Sequence, residues 1–304
     1  MSLTRRQFTQ LGSATAATSL FGFRPALAQV IIGDMEVLSL SDGNLTLPAE
    51  MTFGSMQGND TGPIIEKYQL GDVLTPPCNV TLLKSGDRTV LFDVGAGPEF
   101  MSSAGFLTDA FDAVGLAVDD VTDVVFTHAH PDHIWGLTDD FDDLLFPNAS
   151  YMIGQDEWDY WTDPETVNTI DEGRITFAVG AARRLDRIAD AVTFFHDGEE
   201  IMPGVAARAT YGHTPGHMAF EVRQGSNGLM ILGDCIGNHH VAFEEPSWKS
   251  GADQDEDKGV ATRVALLDQL AQEQTHILGF HLSGNGIGRV ERNSSGGYRF
   301  VQDA

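Results

Sequence analysis

The motif THAHPDH limits the possible folds more strongly than any other part of the chain. It follows an apolar, strand-like run, and extended backbone there sends His128 and His130 to the same face, where both imidazoles can reach one metal ion. Pro131 has no N–H for the sheet ladder and ends the strand. Asp132 and His133 then lie in a turn and point elsewhere, as a neighbouring second ion would require. The alternative is a chance cluster on a polar turn, which four ligand-type residues within six positions make a poor explanation.

Three later positions offer further ligands. In the segment GHTPGH, His213 and His217 flank a tight Pro-Gly turn, and we predict that His217 binds metal while His213 supports the turn or a neighbouring ligand. Asp234 directly follows an apolar run, and a buried carboxylate at a strand end needs a partner, which a pair of cations would provide. His281 also stands at a predicted strand end, although on its own it could be an ordinary core histidine.

Taken together and in this order, the four motifs resemble those of the metallo-β-lactamase superfamily. The run LFDVG resembles the family's strand with its Asp-x-Gly turn, in which Asp93 orients the metal loop. The resemblance covers nearly all of the chain after residue 28, and it implies an α/β fold, the αββα four-layer sandwich, with two divalent metal ions. The ligands that it implies are His128, His130 and His217 for one ion, Asp132, His133 and His281 for the other, and Asp234 as the bridge.

The implied chemistry is hydrolysis by a water or hydroxide between the two ions, with the carboxylates of Asp132 and Asp234 at the reacting centre. Coordination to a metal lowers the pKa of water from about 16 to about 7. Nitrogen and oxygen donors suit zinc first, and also iron, manganese or cobalt. One alternative is an iron-containing redox enzyme on the same fold, with oxygen or sulfur chemistry. Another is a metal-binding protein without turnover, against which the complete ligand set argues.

Within the superfamily the chain is most similar to the methyl parathion hydrolase group. The similarity lies in Phe146–Ala149, Phe243–Pro246 and the tail from residue 281 to 301. It implies that small neutral esters, lactones or organophosphate triesters are the substrates. Candidate pocket walls are aromatic side chains and a long segment of weak periodicity, namely Trp158, Tyr160, Trp161 and part of Asp42–Pro77. Plain helix packing is the alternative for Trp158 and Tyr160.

The charge of the chain restricts its partners. It carries 18 Lys and Arg against 44 Asp and Glu, a formal net charge of −26. Nucleic-acid binding requires a basic patch, and the sequence offers none. The same charge repels anionic membranes and anionic substrates, so a neutral small molecule is the expected partner. A homodimer is compatible with the sequence, and pairing of Cys78 with Cys235 is left open.

Residues 1–28 have the order of an export signal. The paired Arg5 and Arg6 are followed by Phe8, by a weakly apolar run, and by an A-x-A site that ends at Ala28. The arginine pair resembles a twin-arginine signal. The apolar run is too short to span a bilayer, which needs about 20 apolar residues. We therefore expect cleavage after Ala28, a hydrolase domain over residues 29–304, and a periplasmic or secreted protein.

Short β-rich runs alternate with helical patterns, which is typical of an α/β domain. Asn79–Lys84 and Thr89–Val94 flank a Ser-Gly-Asp sequence that predicts a hairpin turn. Lys258–Gln272 is the clearest predicted helix. Its predicted apolar face consists of Val260, Val264, Leu267 and Ala271.

Overall fold

The computed structural model describes residues 28–56 and 58–303. The predicted signal segment lies outside these residues except for Ala28, the first residue of β1. The strands are β1 (Ala28–Ile32), β2 (Met35–Asn44), β3 (Leu47–Pro48), β4 (Val73–Leu74), β5 (Pro77–Ser85), β6 (Arg88–Phe92), β7 (Asp123–Phe126), β8 (Ser150–Gly154), β9 (Thr193–Phe195), β10 (Glu200–Met202), β11 (Val205–Ala209), β12 (Met218–Gln224), β13 (Asn227–Ile231), β14 (His276–Leu278), β15 (Ile287–Arg292) and β16 (Tyr298–Gln302). The α-helices are α1 (Ala49–Phe53), α2 (Gly62–Tyr68), α3 (Leu107–Ala113), α4 (Pro131–Ile134), α5 (Gln155–Thr162), α6 (Thr166–Thr169), α7 (Ile175–Asp186), α8 (Val241–Glu244) and α9 (Glu256–Glu273).

Two seven-stranded sheets dominate the described residues. The first has the order β1-β2-β5-β6-β7-β8-β9, and the second runs β10-β11-β12-β13-β14-β15-β16. The pairs β6–β7, β7–β8, β8–β9 and β13–β14 are parallel. The predicted hairpin between β5 and β6 is confirmed, with Ser85 paired to Arg88 across the turn.

Three separate layers of buried apolar side chains show how the sheets and helices stack. One layer joins the first sheet to α3, α5 and α7, as in the contact of Phe111 with the core that contains Leu82. A second lies between the two sheets, where the rings of Phe92 and Phe220 are 5.0 Å apart. The third joins the second sheet to α8 and α9 through residues such as Leu267. The αββα four-layer sandwich is therefore confirmed.

The buried face of α9 differs from the predicted one. Val260 and Val264 are only half-buried, whereas Arg263 is buried among the helix contacts. Arg263 tolerates burial because its guanidinium pairs with Asp253 at 3.0 Å and donates to the carbonyl oxygens of Pro246 and Trp248. An apolar pattern could not reveal this, since the partners of Arg263 lie outside the helix.

The long segment Asp42–Pro77 contains more regular structure than its weak periodicity indicated. It holds β3, β4, α1 and α2, which form a layer next to the residues that follow Asp234. Tyr68 of α2 contacts the rings of His239 and His240 and donates to Glu244. Over residues 28–56 and 58–303, no helix is long and apolar enough to cross a membrane.

The fold brings the predicted ligands to one edge of the sandwich. His128 follows β7, Asp234 follows β13, and His281 follows β14. Because β13 and β14 are parallel neighbours, their carboxyl ends meet at the same edge. The THAHPDH loop follows β7 of the first sheet and reaches the same edge from the opposite layer.

Candidate metal centre

Three imidazoles form the first group of donors. His128 Nε2 lies 3.1 Å from His130 Nδ1, which in turn lies 2.8 Å from His213 Nε2. Their ligand atoms all fall within 4.8 Å of one another, and all three side chains are buried. The imidazoles of His128 and His130 meet just beyond the end of β7, and His130 has extended backbone.

The second group of donors contains Asp132, His133 and His281. His281 Nε2 lies 3.1 Å from Asp132 Oδ2, and His133 Nε2 lies 3.6 Å from the same oxygen. The thiol of Cys78 also lies within 4.8 Å of ligand atoms of Asp132 and His281. Both cysteines are free and buried.

Asp234 stands between the two groups. Its Oδ1 lies 3.3 Å from His133 Nε2, and its Oδ2 lies 3.2 Å from His281 Nε2. The same Oδ2 is 3.4 Å from His213 Nε2 of the first group. One carboxylate thus contacts imidazoles of both groups, which is the arrangement that a shared ligand requires.

His217 lies beside the first group and has a protein partner at each ring nitrogen. Its Nε2 accepts a hydrogen bond from the Asp234 backbone N–H at 2.9 Å, and its Nδ1 lies 2.8 Å from Thr210 Oγ1. Both ring nitrogens therefore already have protein partners. The rings of His213 and His217 both lie 4.9 Å from the ring of His128, and His213 Nε2 also lies 2.8 Å from His130 Nδ1. The metal-binding role of His217 therefore stays a prediction, and the structure adds His213 as a second candidate for the third ligand.

The Nδ1 atoms of three histidines face away from the centre and contact other protein groups. His133 Nδ1 lies 2.8 Å from Asp93 Oδ2, and His281 Nδ1 lies 2.8 Å from the carbonyl oxygen of Pro77. His213 Nδ1 lies 3.6 Å from Asp253 Oδ1. Such contacts fix which nitrogen of each ring faces a metal. The orienting role predicted for Asp93 agrees with this geometry.

Asp93 is held in an unusual backbone conformation. Its φ of 64° lies in the left-handed region, which a residue other than glycine adopts only at a cost. Its carboxylate accepts hydrogen bonds from the backbone N–H and the hydroxyl of Thr127, both at 2.7 Å, as well as contacting His133. These contacts stabilise the strained turn and tie it to the start of the THAHPDH loop.

The donor set fits two cations. Among the described residues, Asp132 Oδ2, His133 Nε2 and Asp234 Oδ1 are buried and form no hydrogen bond of good geometry, although His133 Nε2 lies 3.6 Å and 3.3 Å from the two oxygens. Buried polar atoms rarely stay unpaired in native proteins, and a bound ion is one standard explanation. Burial and the neighbouring imidazoles also lower the pKa of His128 and His130 well below the usual range. Both rings are then neutral, the form that coordinates metal.

Metal binding should release protons from the second group. Burial alone would lower the pKa of His281, but Asp234 and Asp132 raise it to about 10, and the same carboxylates with Asp93 raise that of His133 well above normal. We therefore expect both imidazoles to be protonated in the metal-free protein at neutral pH, and to lose a proton when they coordinate metal.

We expect about two protons to leave per chain when both ions bind, and metal affinity to rise with pH. Calorimetric titration of metal into the metal-free protein, in two buffers of different ionisation enthalpy, measures the number. A His276→Ala control should not change it, because His276 pairs with Asp303 away from the centre. Uptake of metal without proton release would show that His133 and His281 are not protonated in the metal-free protein.

Trp161 does not line a pocket. Its side chain is only 1% exposed, and its Nε1 donates to Glu157 within the protein interior. Trp158 and Tyr160 are half-buried and pack on Phe194 and Trp161 respectively. Packing within the protein therefore accounts for these aromatic side chains, and the ring of Trp161 also contacts that of His130, with centroids 5.7 Å apart.

Two groups of residues near the centre were not predicted. Asp253 and Gln254 reach it from the loop before α9, with Gln254 Nε2 3.3 Å from His130 Nε2. Glu157 is buried beneath the histidine loops. Both sequence regions are rich in acidic residues. The sequence alone therefore could not distinguish these buried side chains from acidic side chains exposed to solvent.

Comparison with known proteins decides the family. The family model described as the Metallo-beta-lactamase superfamily matches residues 74–271, which is more than half of the chain. The chain belongs to this superfamily. The superfamily match leaves the methyl parathion hydrolase subgroup untested, so that assignment stays a prediction.

Two proteins show partial sequence similarity. The probable metallo-hydrolase YqjP of Bacillus subtilis (strain 168) is 26% identical over 183 residues, 56% of this chain and 54% of that protein. Metallo-beta-lactamase domain-containing protein 1 of Xenopus laevis is 36% identical over 88 residues, 29% of this chain and 33% of that protein. The chain thus spans about half and about a third of the lengths of these relatives.

Solved structures extend the similarity of fold to almost the whole chain. AidC, described as a dizinc quorum-quenching lactonase in complex with a product, has a TM-score of 0.85 at 24% identity, covering 92% of this chain and 98% of AidC. The hydrolase AbOPH in the beta lactamase superfamily has a TM-score of 0.84 at 24% identity, with coverage of 92% and 98%. A probable metal-dependent hydrolase from Staphylococcus aureus has a TM-score of 0.74 at 19% identity, covering 90% of this chain and all of that one. At these identities the likeness establishes the fold alone.

Proposed function

We propose that this protein is a binuclear metal-dependent hydrolase of small neutral esters, with lactones and organophosphate triesters as its substrate classes. The observation that carries the proposal is the contact of Asp234 with imidazoles of both donor groups. The proposed ligands of the first ion are His128, His130 and His213, those of the second are Asp132, His133 and His281, and Asp234 is shared. Zinc is the proposed metal, because the donors are imidazole nitrogens and carboxylate oxygens.

The ions would polarise a carbonyl or phosphoryl oxygen and activate water as a nucleophile at neutral pH. The protein's own contribution is to hold the donors in place. Asp93 and the Pro77 carbonyl orient His133 and His281, and Asp253 lies against the outer nitrogen of His213. Asp132 and Asp234 place negative charge between the imidazoles, which offsets the charge of bound cations.

The two cysteines are poor candidates for an alternative nucleophile. Burial raises the pKa of the Cys235 thiol to about 12 and, together with Asp132 and other nearby carboxylates, raises that of Cys78 well above normal. The thiolate is the reactive form of cysteine, and a raised pKa favours the thiol, so neither side chain is a good nucleophile at neutral pH. This supports hydrolysis by activated water.

The charge around the centre supports a neutral substrate. An open cleft of about 510 Å³ is lined by Asp253 and Gln254, whose side chains reach the first donor group. Its other lining residues include Asp171, Asp255, Glu256 and Asp257 against the single Lys249. An anionic substrate entering here would meet repulsion, whereas an uncharged ester or triester would not. The lactonase activity stated for AidC gives a first substrate class to test.

We also propose that the protein is exported to the periplasm or secreted. The support is the order of charged, apolar and small residues over 1–28. Expression of the full chain with Arg5 and Arg6 intact, or both replaced by Lys, tests this. The intact signal should yield cleaved protein outside the cytoplasm, and equal export of the variant would contradict a twin-arginine route.

The proposed activity is tested with chain 29–304, loaded with zinc and assayed on lactones, aryl esters and phosphotriesters. We expect turnover of at least one class, its loss after chelation, and its recovery when zinc is returned. Inactivity on all three classes with two ions bound would contradict the proposal. Iron as the only bound metal, together with oxygen consumption, would favour the redox alternative.

A further inference from the structure

Glu157 is a fully buried carboxylate beneath the histidine loops. It lies in the first turn of α5 and its side chain is 0% exposed. One oxygen, Oε1, accepts hydrogen bonds from the Ala129 backbone N–H at 2.9 Å and from Trp161 Nε1 at 2.6 Å. The other, Oε2, accepts from the Thr214 hydroxyl at 2.7 Å and from the Gly216 backbone N–H at 3.0 Å.

These partners belong to the two loops that carry the first donor group. Ala129 lies between His128 and His130 in the chain, and Thr214 directly follows His213. The loops come from different sheets, since one follows β7 and the other precedes β12. A single carboxylate therefore connects the histidine pair of the first sheet to the third imidazole of the group.

The connection is close as well as polar. A Cβ atom added to Gly216 would lie only 2.1 Å from the Glu157 backbone nitrogen, so the second loop packs directly on α5. Any larger residue at position 216 would push the loop away. The distance between the loop and α5 is therefore set by backbone contact, and the carboxylate holds the loop at that distance.

Burying this carboxylate is costly, and stability alone does not require it. In the described part of the chain Glu157 has no ion pair with Lys, Arg or His, and its charge is compensated by hydrogen bonds only. A buried carboxylate without a counter-ion is unfavourable unless its lone pairs are satisfied, and apolar residues often serve stability equally well. Burial raises the pKa of this carboxyl, and the four hydrogen bonds act against that shift.

We propose that Glu157 is a positioning residue that fixes the spacing between the His128–His130 pair and His213, and so sets the affinity of the first metal position. The inference rests on the proposed function, because it assumes that these imidazoles bind metal. Glu157 itself contacts the loop backbones and not the donor atoms. Its effect therefore reaches the metal only through the loops.

The test is Glu157→Gln in the zinc-loaded and cobalt-loaded chain. The amide keeps the shape of the side chain, but its NH₂ group would face donors where an acceptor is needed. We expect the affinity for one of the two ions to fall about 10–100-fold in competition with a chelator, as for other partners that orient ligands. The cobalt absorption spectrum should change, and kcat should fall more than KM rises at saturating metal.

Asp123→Asn is the matched control. Asp123 is also a buried carboxylate, paired with Arg88, but it stands at the start of β7, the end of the strand away from His128. This variant should lose stability while keeping both metal affinities and the cobalt spectrum. A further variant, Thr214→Val, serves if Glu157→Gln does not fold. It removes one hydrogen bond to Glu157 in a ligand loop, so it should weaken metal binding, with Asp123→Asn again as the control.

The outcomes separate this inference from the proposed function. Weaker binding of one ion in Glu157→Gln or Thr214→Val, with Asp123→Asn unchanged, supports it. Wild-type affinities and cobalt spectra in both variants would overturn it while leaving the hydrolase proposal intact, even if their melting temperatures fall. A wild-type chain that binds no metal would overturn both.

Discussion

Replacement of Asp234 by Asn should lower kcat/KM by about 10³-fold, which corresponds to roughly 4 kcal/mol, and should reduce the tightly bound metal from two ions per chain to one. The carboxylate contacts His133 and His281 on one side and His213 on the other. The amide of Asn has no negative charge and only one oxygen, so it can no longer serve both groups. Kinetic assays with metal analysis of the same sample measure both effects.

Asp42→Asn provides the control for this prediction. Asp42 is a buried carboxylate that accepts hydrogen bonds from the backbone N–H groups of Ala96 and Leu107, both at 2.8 Å. Burial raises its pKa to about 7, and the NH₂ group of Asn would face one of these backbone N–H groups, so this variant should lose stability. This variant should keep two ions and most of its activity. An Asp234→Asn protein with two tightly bound ions and normal turnover would show that the shared-ligand assignment is wrong.

The second large effect separates two histidines four residues apart. His213→Ala should cost at least about 100-fold in affinity for one ion, because the variant removes a donor that contacts both His130 and Asp234. His217→Ala should lower the affinity for one ion by about tenfold, because His217 supports the bridging residue by accepting a hydrogen bond from the Asp234 backbone N–H. Chelator competition on both variants gives the comparison directly.

The opposite order would contradict the structural assignment and restore the one predicted from the sequence. Thr210→Val provides an additional check, since it removes the hydroxyl next to His217 Nδ1 and leaves His213 untouched. It should resemble a mild form of His217→Ala, with both ions retained.

Much of the fold and of the centre was predictable because the decisive features are local. Apolar runs of strand length place His128 and Asp234 just after buried strands, and parallel strands carry their final residues to one edge. The two-residue spacing of His128 and His130 fixes a common face in extended backbone. These arguments need no knowledge of the remote partners.

The sequence was least informative where remote contacts decide the outcome. His213 and His217 share one motif, and only the position of Asp234, 17 residues beyond His217, shows which ring is already hydrogen-bonded. Trp161 was expected in a pocket, but its indole N–H is satisfied by Glu157 inside the core. Arg263 can lie on the buried face of α9 because it forms an ion pair with Asp253. Sequence periodicity reports burial of apolar groups and contains no information about such polar partners.

The proposed function depends most on two cations sharing Asp234. The most direct measurement is the metal content of purified chain 29–304 after zinc loading and removal of loosely bound metal, determined by elemental analysis against protein concentration. We expect two zinc ions per wild-type chain and one per Asp234→Asn chain. A wild-type chain that retains no zinc, or that retains one ion with no further loss in Asp234→Asn, would contradict this expectation.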